Sequence, residues 1–297
     1  MRWSRAAGRG LVAGIPTLWL LLLFLVPFII VFRISFSEVR LAIPPYTPLI
    51  AWHHGEPALE LHGSAYAFLF TDPLYLASYL YSLKVAAVST LCCLALGYPM
   101  AYAIARAGPA TRPLLLMLIV LPFWTSFLLR VYAWIGLLNN NGVINNVLLY
   151  LGLIHRPLHL LQTDFAVYIG IVYSYLPFMI LPLYANLEKH DLSLLEAAAD
   201  LGARPWRAFL RITLPQSLPG IAAGALLVFI PAVGEYVIPT LLGRTDQLMI
   251  GRVLSDEFFE NRDWPVASAV AILILLLLIV PILLFQRFQQ RQLEASR

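Results

Sequence analysis

The chain has 297 residues, 60% hydrophobic and 12% charged, with mean hydropathy +0.79 and formal net charge +4. A soluble domain carries about 25% charged residues, so this composition excludes an ordinary soluble protein and marks an integral membrane one. Basic residues are scattered among short loops, which sets nucleic acid aside as a partner and leaves membrane lipid as the surroundings.

Six stretches reach the roughly 20 helical residues that a bilayer requires. They are Leu11–Phe32, Tyr79–Ala105, Pro113–Leu138, Asp164–Leu187, Pro219–Leu242 and Trp264–Phe285. Helices are expected because a backbone in lipid must satisfy its own hydrogen bonds. The predicted class is therefore an all-α membrane protein with six transmembrane helices. Residues 11–285 form the spanning domain, between a short segment 1–10 and a tail 286–297.

The first run begins basic, but its apolar stretch exceeds the roughly 7–15 residues of a signal-peptide core, so an uncleaved span is expected. The loop Arg33–Ser78 carries "AIPPYTP", Trp52 and the pair His53-His54. No second ligand pair stands at a suitable spacing, so a solvated loop is expected and no metal. Cys92 and Cys93 are adjacent inside an apolar run, where a bridge is strained and packing is the plain expectation. After the third span, "NNNGVINN" signals a turn followed by a short apolar helix near the interface.

Orientation follows the basic residues. With both termini inside, the inner segments hold Arg2, Arg5, Arg9, Arg106, Arg112, Lys189, Arg204, Arg207, Arg211, Arg287, Arg291 and Arg297, twelve of the 20 Lys and Arg. The longer outer loops hold only Arg33, Arg40, Arg156, Arg244, Arg252 and Arg262. Both termini are expected in the cytoplasm.

Between spans four and five, the inner loop 188–218 contains "EAAADLGARPWRAFLRITLP". Ser193 and Glu196 fit a capping box. Gly202 is placed to end that helix in a left-handed conformation, and Pro205 suits the start of a second. Leu214-Pro215 is expected to stop the second helix, leaving a helix–turn–helix knob with a shallow alanine face. By pattern alone it either holds two spans together or docks against another protein.

The knob resembles the EAA loop of ABC importer permeases. Glu196, Ala197, Ala198 and Gly202 match that motif's marked positions, with Leu214 and Pro215 at its end. The resemblance implies a type I importer-like permease fold in which these residues couple the membrane domain to a cytoplasmic ATPase. The chain has no GxxxxGK[ST] phosphate loop, so ATP hydrolysis is expected on separate ATP-binding subunits. No nucleophile–base or metal constellation suggests an enzyme, and no cofactor is expected.

Ionisable groups within the spans are few. Lys84 and Arg130 lie near span ends, where long side chains snorkel. Glu235 sits deeper in "FIPAVGEYVIPTLLG", beside Gly234 and between Pro231 and Pro239. That composition predicts an irregular helix, tolerated where it lines protein or a water-filled path. A carboxylate near aromatic faces suits an ammonium group, so Glu235, Tyr236, Trp124 and Tyr175 are the substrate-path candidates. The bland alternatives are a salt bridge for Glu235 and interfacial belts for aromatics such as Tyr132 and Trp134.

"YPMAYAIAR", "LPFWTSFLLRVYAWIGLLNNNGVINN", "YIGIVYSYLPFMILPLY", "MIGRVL" and "NRDWPVASAVAI" resemble the permease subunits of polyamine ABC importers of the putrescine type, over nearly the whole chain. The resemblance implies a second, homologous permease subunit, two cytoplasmic ATP-binding subunits and a periplasmic polyamine-binding protein. The four path candidates rest on physical grounds and are not carried over from the family. A permease for spermidine or another cationic solute is the alternative. An ion-coupled secondary transporter ranks lower, since it gives no reason for the knob.

Overall fold

The computed structural model describes residues 5–53 and 56–295. Arg2 and Arg297, used above for orientation, and His54 of the histidine pair lie outside these residues. The chain opens with α1 (Arg5–Leu20) and α2 (Val26–Ile34), joined without interruption through a wider i→i+5 turn at Leu21–Leu25. Pro27 explains the wide turn. It has no N–H to donate, and its ring would strike the carbonyl four residues back, so the register loosens just before it.

The loop that follows is not wholly irregular. Strands β1 (Ile50–His53) and β2 (Glu56–Leu59) pair antiparallel, Ile50 opposite Leu59 and His53 opposite Glu56, and α3 (Ser64–Thr71) follows. The all-α class stands, with this small hairpin as an addition. Helix α4 (Pro73–Arg106) carries the second span well past its expected start.

The third expected span is broken within its length. It divides into α5 (Arg112–Val120) and α6 (Phe127–Leu138), separated by a tight turn at Leu121–Trp124. The segment as far as Tyr150 bends by 87° at this break. Pro122 removes a donor, Thr125 adopts extended backbone, and its hydroxyl donates to Pro122 O at 2.8 Å in place of a helical bond. Helix α7 (Val143–Tyr150) is the expected short helix after the Asn-rich turn. Buried Asn145 fastens it, donating to Asn139 O and Leu158 O and accepting from Leu158 N–H.

Helix α8 (Asp164–Leu187) forms as expected, its Thr163 side chain accepting the Ala166 amide. The knob follows as α9 (Ser193–Asp200) and α10 (Pro205–Ala208), then a wide turn at Phe209–Thr213 and α11 (Leu214–Val233). Leu214-Pro215 therefore does not stop the second helix. The turn loosens ahead of Pro215 as it does ahead of Pro27, and the helix runs on into the fifth span. That span breaks after Val233 and resumes as α12 (Val237–Leu242), the irregularity its composition predicted. Helices α13 (Ile250–Phe259) and α14 (Trp264–Ala295) complete the chain, α14 extending helically into the expected tail. Among the described residues, five helices are long and apolar enough to span a bilayer, or six if the bent pair counts as one.

The chain divides into two compact units, Met1–Leu76 with Leu254–Leu277, and Ala77–Val253 with Leu278–Arg297. In the first, Phe24, Phe28 and Phe32 stack at helical spacing, Phe36 meets Phe32 edge-on, and Tyr66 packs on Phe36 while its hydroxyl donates to Ser35 Oγ at 2.9 Å. In the second, Met179, Ile180, Leu183 and Leu187 of α8 meet Cys93, Ala101, Ile104 and Val228. Cys93 is thus a packing residue, as expected.

Ser82, fully buried on α4, accepts the orphan amide of Ile250 at the start of α13 at 2.7 Å. Ser82→Ala leaves that amide buried without a partner and is expected to cost about 1–3 kcal/mol. Thermal unfolding of the detergent-purified chain checks this, and an unchanged midpoint refutes it.

Candidate coupling loop and transport path

The knob is built differently at its two ends. At its start, Asp191 Oδ1 accepts the Ser193 amide at 2.9 Å, which holds the exposed Asp191 carboxyl below its ordinary range. Ser193 lies inside the helix and makes no capping bond. The expected Ser193–Glu196 capping box is therefore replaced by an aspartate turn two residues earlier. Asp191, a helix-start residue type, is the sequence signal for this cap.

At its end the expectation holds. Gly202 has φ +75°, the Ala203 amide reaches Ala198 O and the Gly202 amide reaches Ala199 O, both at 2.9 Å. These two bonds satisfy carbonyls that the helix end leaves free.

Glu196, Ala197 and Gly202 are exposed, Ala198 and Leu214 are half-buried, and Pro215 is exposed. Leu194, Leu201 and Trp206 also stand in the open, Leu201 at 88% exposure. The underside is seated. Phe209 packs edge-on against Tyr98 at 5.6 Å and Tyr102 at 6.0 Å, both on α4, and the Tyr98 hydroxyl shares a 3.0 Å hydrogen bond with Ser217 of α11. This aromatic seat was not legible in the sequence, because Tyr98, Tyr102 and Phe209 look like ordinary lipid-facing residues until the helices meet. Nearby, Arg112 ties α5 to the end of α8 through Glu188 at 2.6 Å.

The path candidates separate into a pair and two outliers. Glu235 is 7% exposed and sits in the break of the fifth span. Its Oε1 accepts the Val237 and Ile238 amides at 3.0 and 3.4 Å, the free donors at the start of α12, while Oε2 accepts the Tyr175 hydroxyl from α8. Sequence order alone did not show this second, architectural use of the carboxylate. Gly251 defines the space around the break, since a Cβ there would lie 2.4 Å from Gly234 O.

Tyr236 and Trp124 are exposed, Trp124 at 74%, unlike the buried Glu235. The aromatic chain that does extend from the pair runs from Tyr175 to Phe178 at 6.1 Å and on to Phe123 at 5.4 Å. Arg130 lies in the first turn of α6. Its guanidinium folds over Phe123 at 5.0 Å and Phe127 at 5.8 Å, and its Nε and Nη1 have no hydrogen-bond partner among the described residues.

Apolar helices in spanning lengths, a carboxylate buried at a helix break and an exposed helical knob between the fourth and fifth spans define a multi-pass membrane permease. The chain belongs to the family of binding-protein-dependent transport system inner membrane components, whose family model matches residues 93–294. It is a non-enzymatic component of the inner membrane. It is 40% identical over 269 residues to the spermidine/putrescine transport system permease protein PotB of Haemophilus influenzae, covering 91% of this chain and 90% of that one. With PotB of Escherichia coli it shares 44% identity over 216 residues, 73% of this chain and 78% of the other. A solved bacterial alginate ABC transporter, in complex with its alginate pentasaccharide-bound periplasmic protein, has the same fold with a TM-score of 0.73. The alignment is 18% identical and covers 98% of each chain.

Proposed function

We propose that this chain is a permease subunit of an ATP-driven polyamine importer with putrescine as its preferred cargo. The similarity to two spermidine/putrescine permeases, one over nine-tenths of the chain, carries this reading. The Glu235 carboxylate beside Tyr175 supports it, since a lone buried anion with aromatic neighbours suits a passing ammonium group.

With both termini in the cytoplasm, the knob from Glu196 to Pro215 faces the cytoplasm too. Glu196, Ala197, Ala198 and Gly202 form the surface that meets an ATP-binding subunit, and Leu214 and Pro215 carry its movement into α11. A second, homologous permease completes the path, and a periplasmic binding protein delivers the polyamine to the outer loops. Glu235 offers a transient counter-charge, exchanging its bond with Tyr175 for one with the substrate. Binding there is weak, because a site that holds its cargo tightly cannot release it. Tyr236 and Trp124, being exposed, meet substrate or the second permease.

Uptake of labelled putrescine is expected to disappear from cells lacking this chain when its partners are present, and to resist excess spermidine. Spermidine that abolishes uptake would give the two amines equal rank, as the names of the relatives already pair them. Uptake indifferent to the chain would overturn the polyamine reading.

A further inference from the structure

In the first unit, a pocket of about 230 Å³ opens between the turn after α2, the start of α3 and the start of α14. Ser37, Ser64, Phe68, Asp263 and Val266 line it. Ser37 is 1% exposed, and its Oγ has no hydrogen-bond partner among the described residues. A buried hydroxyl without a partner costs free energy unless something fills the place. Its neighbour Ser35, by contrast, donates to Phe32 O.

Asp263 faces the same space. One carboxylate oxygen accepts the Val266 amide at 3.0 Å and caps α14. Burial raises its carboxyl above the ordinary carboxylate range, the Val266 amide works the other way, and the charge of Glu257 raises it further. Glu257 is engaged by the Tyr75 hydroxyl at 2.8 Å and the Asn261 amide at 2.9 Å. The pocket therefore has a half-buried carboxylate, two hydroxyls and the ring of Phe68, which packs on Tyr75 at 5.6 Å.

We propose that this pocket binds a primary alkylammonium group, with Asp263, Ser37 and Ser64 receiving its three N–H donors and Phe68 flanking its methylenes. An ammonium has three donors and no acceptor, which matches a carboxylate and two hydroxyls. A carboxylate shielded in part from water gains from a charge-assisted bond. The assignment of a polyamine as occupant rests on the importer reading. An ethanolamine lipid headgroup presents the same chemistry.

The test uses the full-length chain in phosphatidylcholine nanodiscs with labelled ethylammonium as the probe, read by equilibrium dialysis. Saturable binding is expected, and Asp263→Asn is expected to weaken it about tenfold. Asparagine caps helices as well as aspartate does, so α14 is retained. Ser37→Ala, which strips only an unpartnered hydroxyl, gives a second, severalfold loss that does not depend on the cap. Competition by putrescine supports the site with a soluble amine as occupant; competition by added phosphatidylethanolamine alone supports the site with lipid in it. Absent binding, or binding that ignores both substitutions, overturns the proposal even where cells show chain-dependent putrescine uptake. Asp263-dependent binding without such uptake keeps the site and removes the polyamine importer.

Discussion

Replacing Gly202 with valine is expected to lower ATP-driven uptake about tenfold while the chain still reaches the membrane. Space is not the obstacle, since a Cβ at Gly202 meets nothing within 4 Å. The obstacle is the backbone, held at φ +75°. An L-residue there costs about 1–2 kcal/mol, and a β-branched one more. About 1.4 kcal/mol suffices for a tenfold change in any equilibrium that needs the native turn. Relaxing φ breaks the bonds from Ala203 to Ala198 and from Gly202 to Ala199, so α9 leaves its angle to α10 and the proposed contact surface is misdirected.

The series Gly202→Asn, Gly202→Ala, Gly202→Val should fall in that order, because asparagine tolerates the left-handed region best of the three. Uptake and ATP hydrolysis measured together in reconstituted vesicles report on coupling as such. Valine at the wild-type level in both would refute the coupling role of the knob.

Glu235→Ala should be the most damaging single change considered, and comparison with Glu235→Gln divides its causes. Alanine strands the Val237 and Ile238 amides and the Tyr175 hydroxyl, all three now satisfied by one carboxylate. At roughly 1–3 kcal/mol for each buried orphan, several kcal/mol of stability is at risk. Glutamine keeps an acceptor for the amides, and the tyrosine hydroxyl can turn to accept from its NH₂ group. It should unfold near the wild-type temperature yet import putrescine poorly at limiting substrate, because the charge is gone. Normal uptake by Glu235→Gln would leave Glu235 a purely architectural residue and take it out of the proposed path.

These two residues also mark how far the sequence could be read. Gly202 was legible because its requirement is local: a helix of strong formers, then a residue free to take positive φ, then proline. Glu235 was legible only as an oddity, a charge among prolines in an apolar run. Its partner Tyr175 lies 60 positions away, and no periodicity links them. The helix-start bond lies two residues ahead of the expected capping box because Asp191 and Ser193 both compete for free amides at a helix start, and only backbone geometry decides between them. Pro122 and Pro215 look alike in the sequence. One sits at an 87° break with Thr125 replacing a helical bond, and the other is absorbed by a wide turn within a continuing helix.

The sequence by itself determined that the chain lies in a membrane, which segments are apolar enough to cross it, where the knob lies and that the fifth span is irregular. Each of these follows from composition, from spacing along one helix or from the conformational needs of single residues. The tertiary structure alone decided that Phe209 seats the knob between Tyr98 and Tyr102, that Glu235 caps α12 while holding Tyr175, and that Ser37 and Asp263 share a pocket. Such pairs join residues distant in sequence. In a bilayer, where apolar burial does little to favour one helix face over another, packing shape and the few polar groups select them.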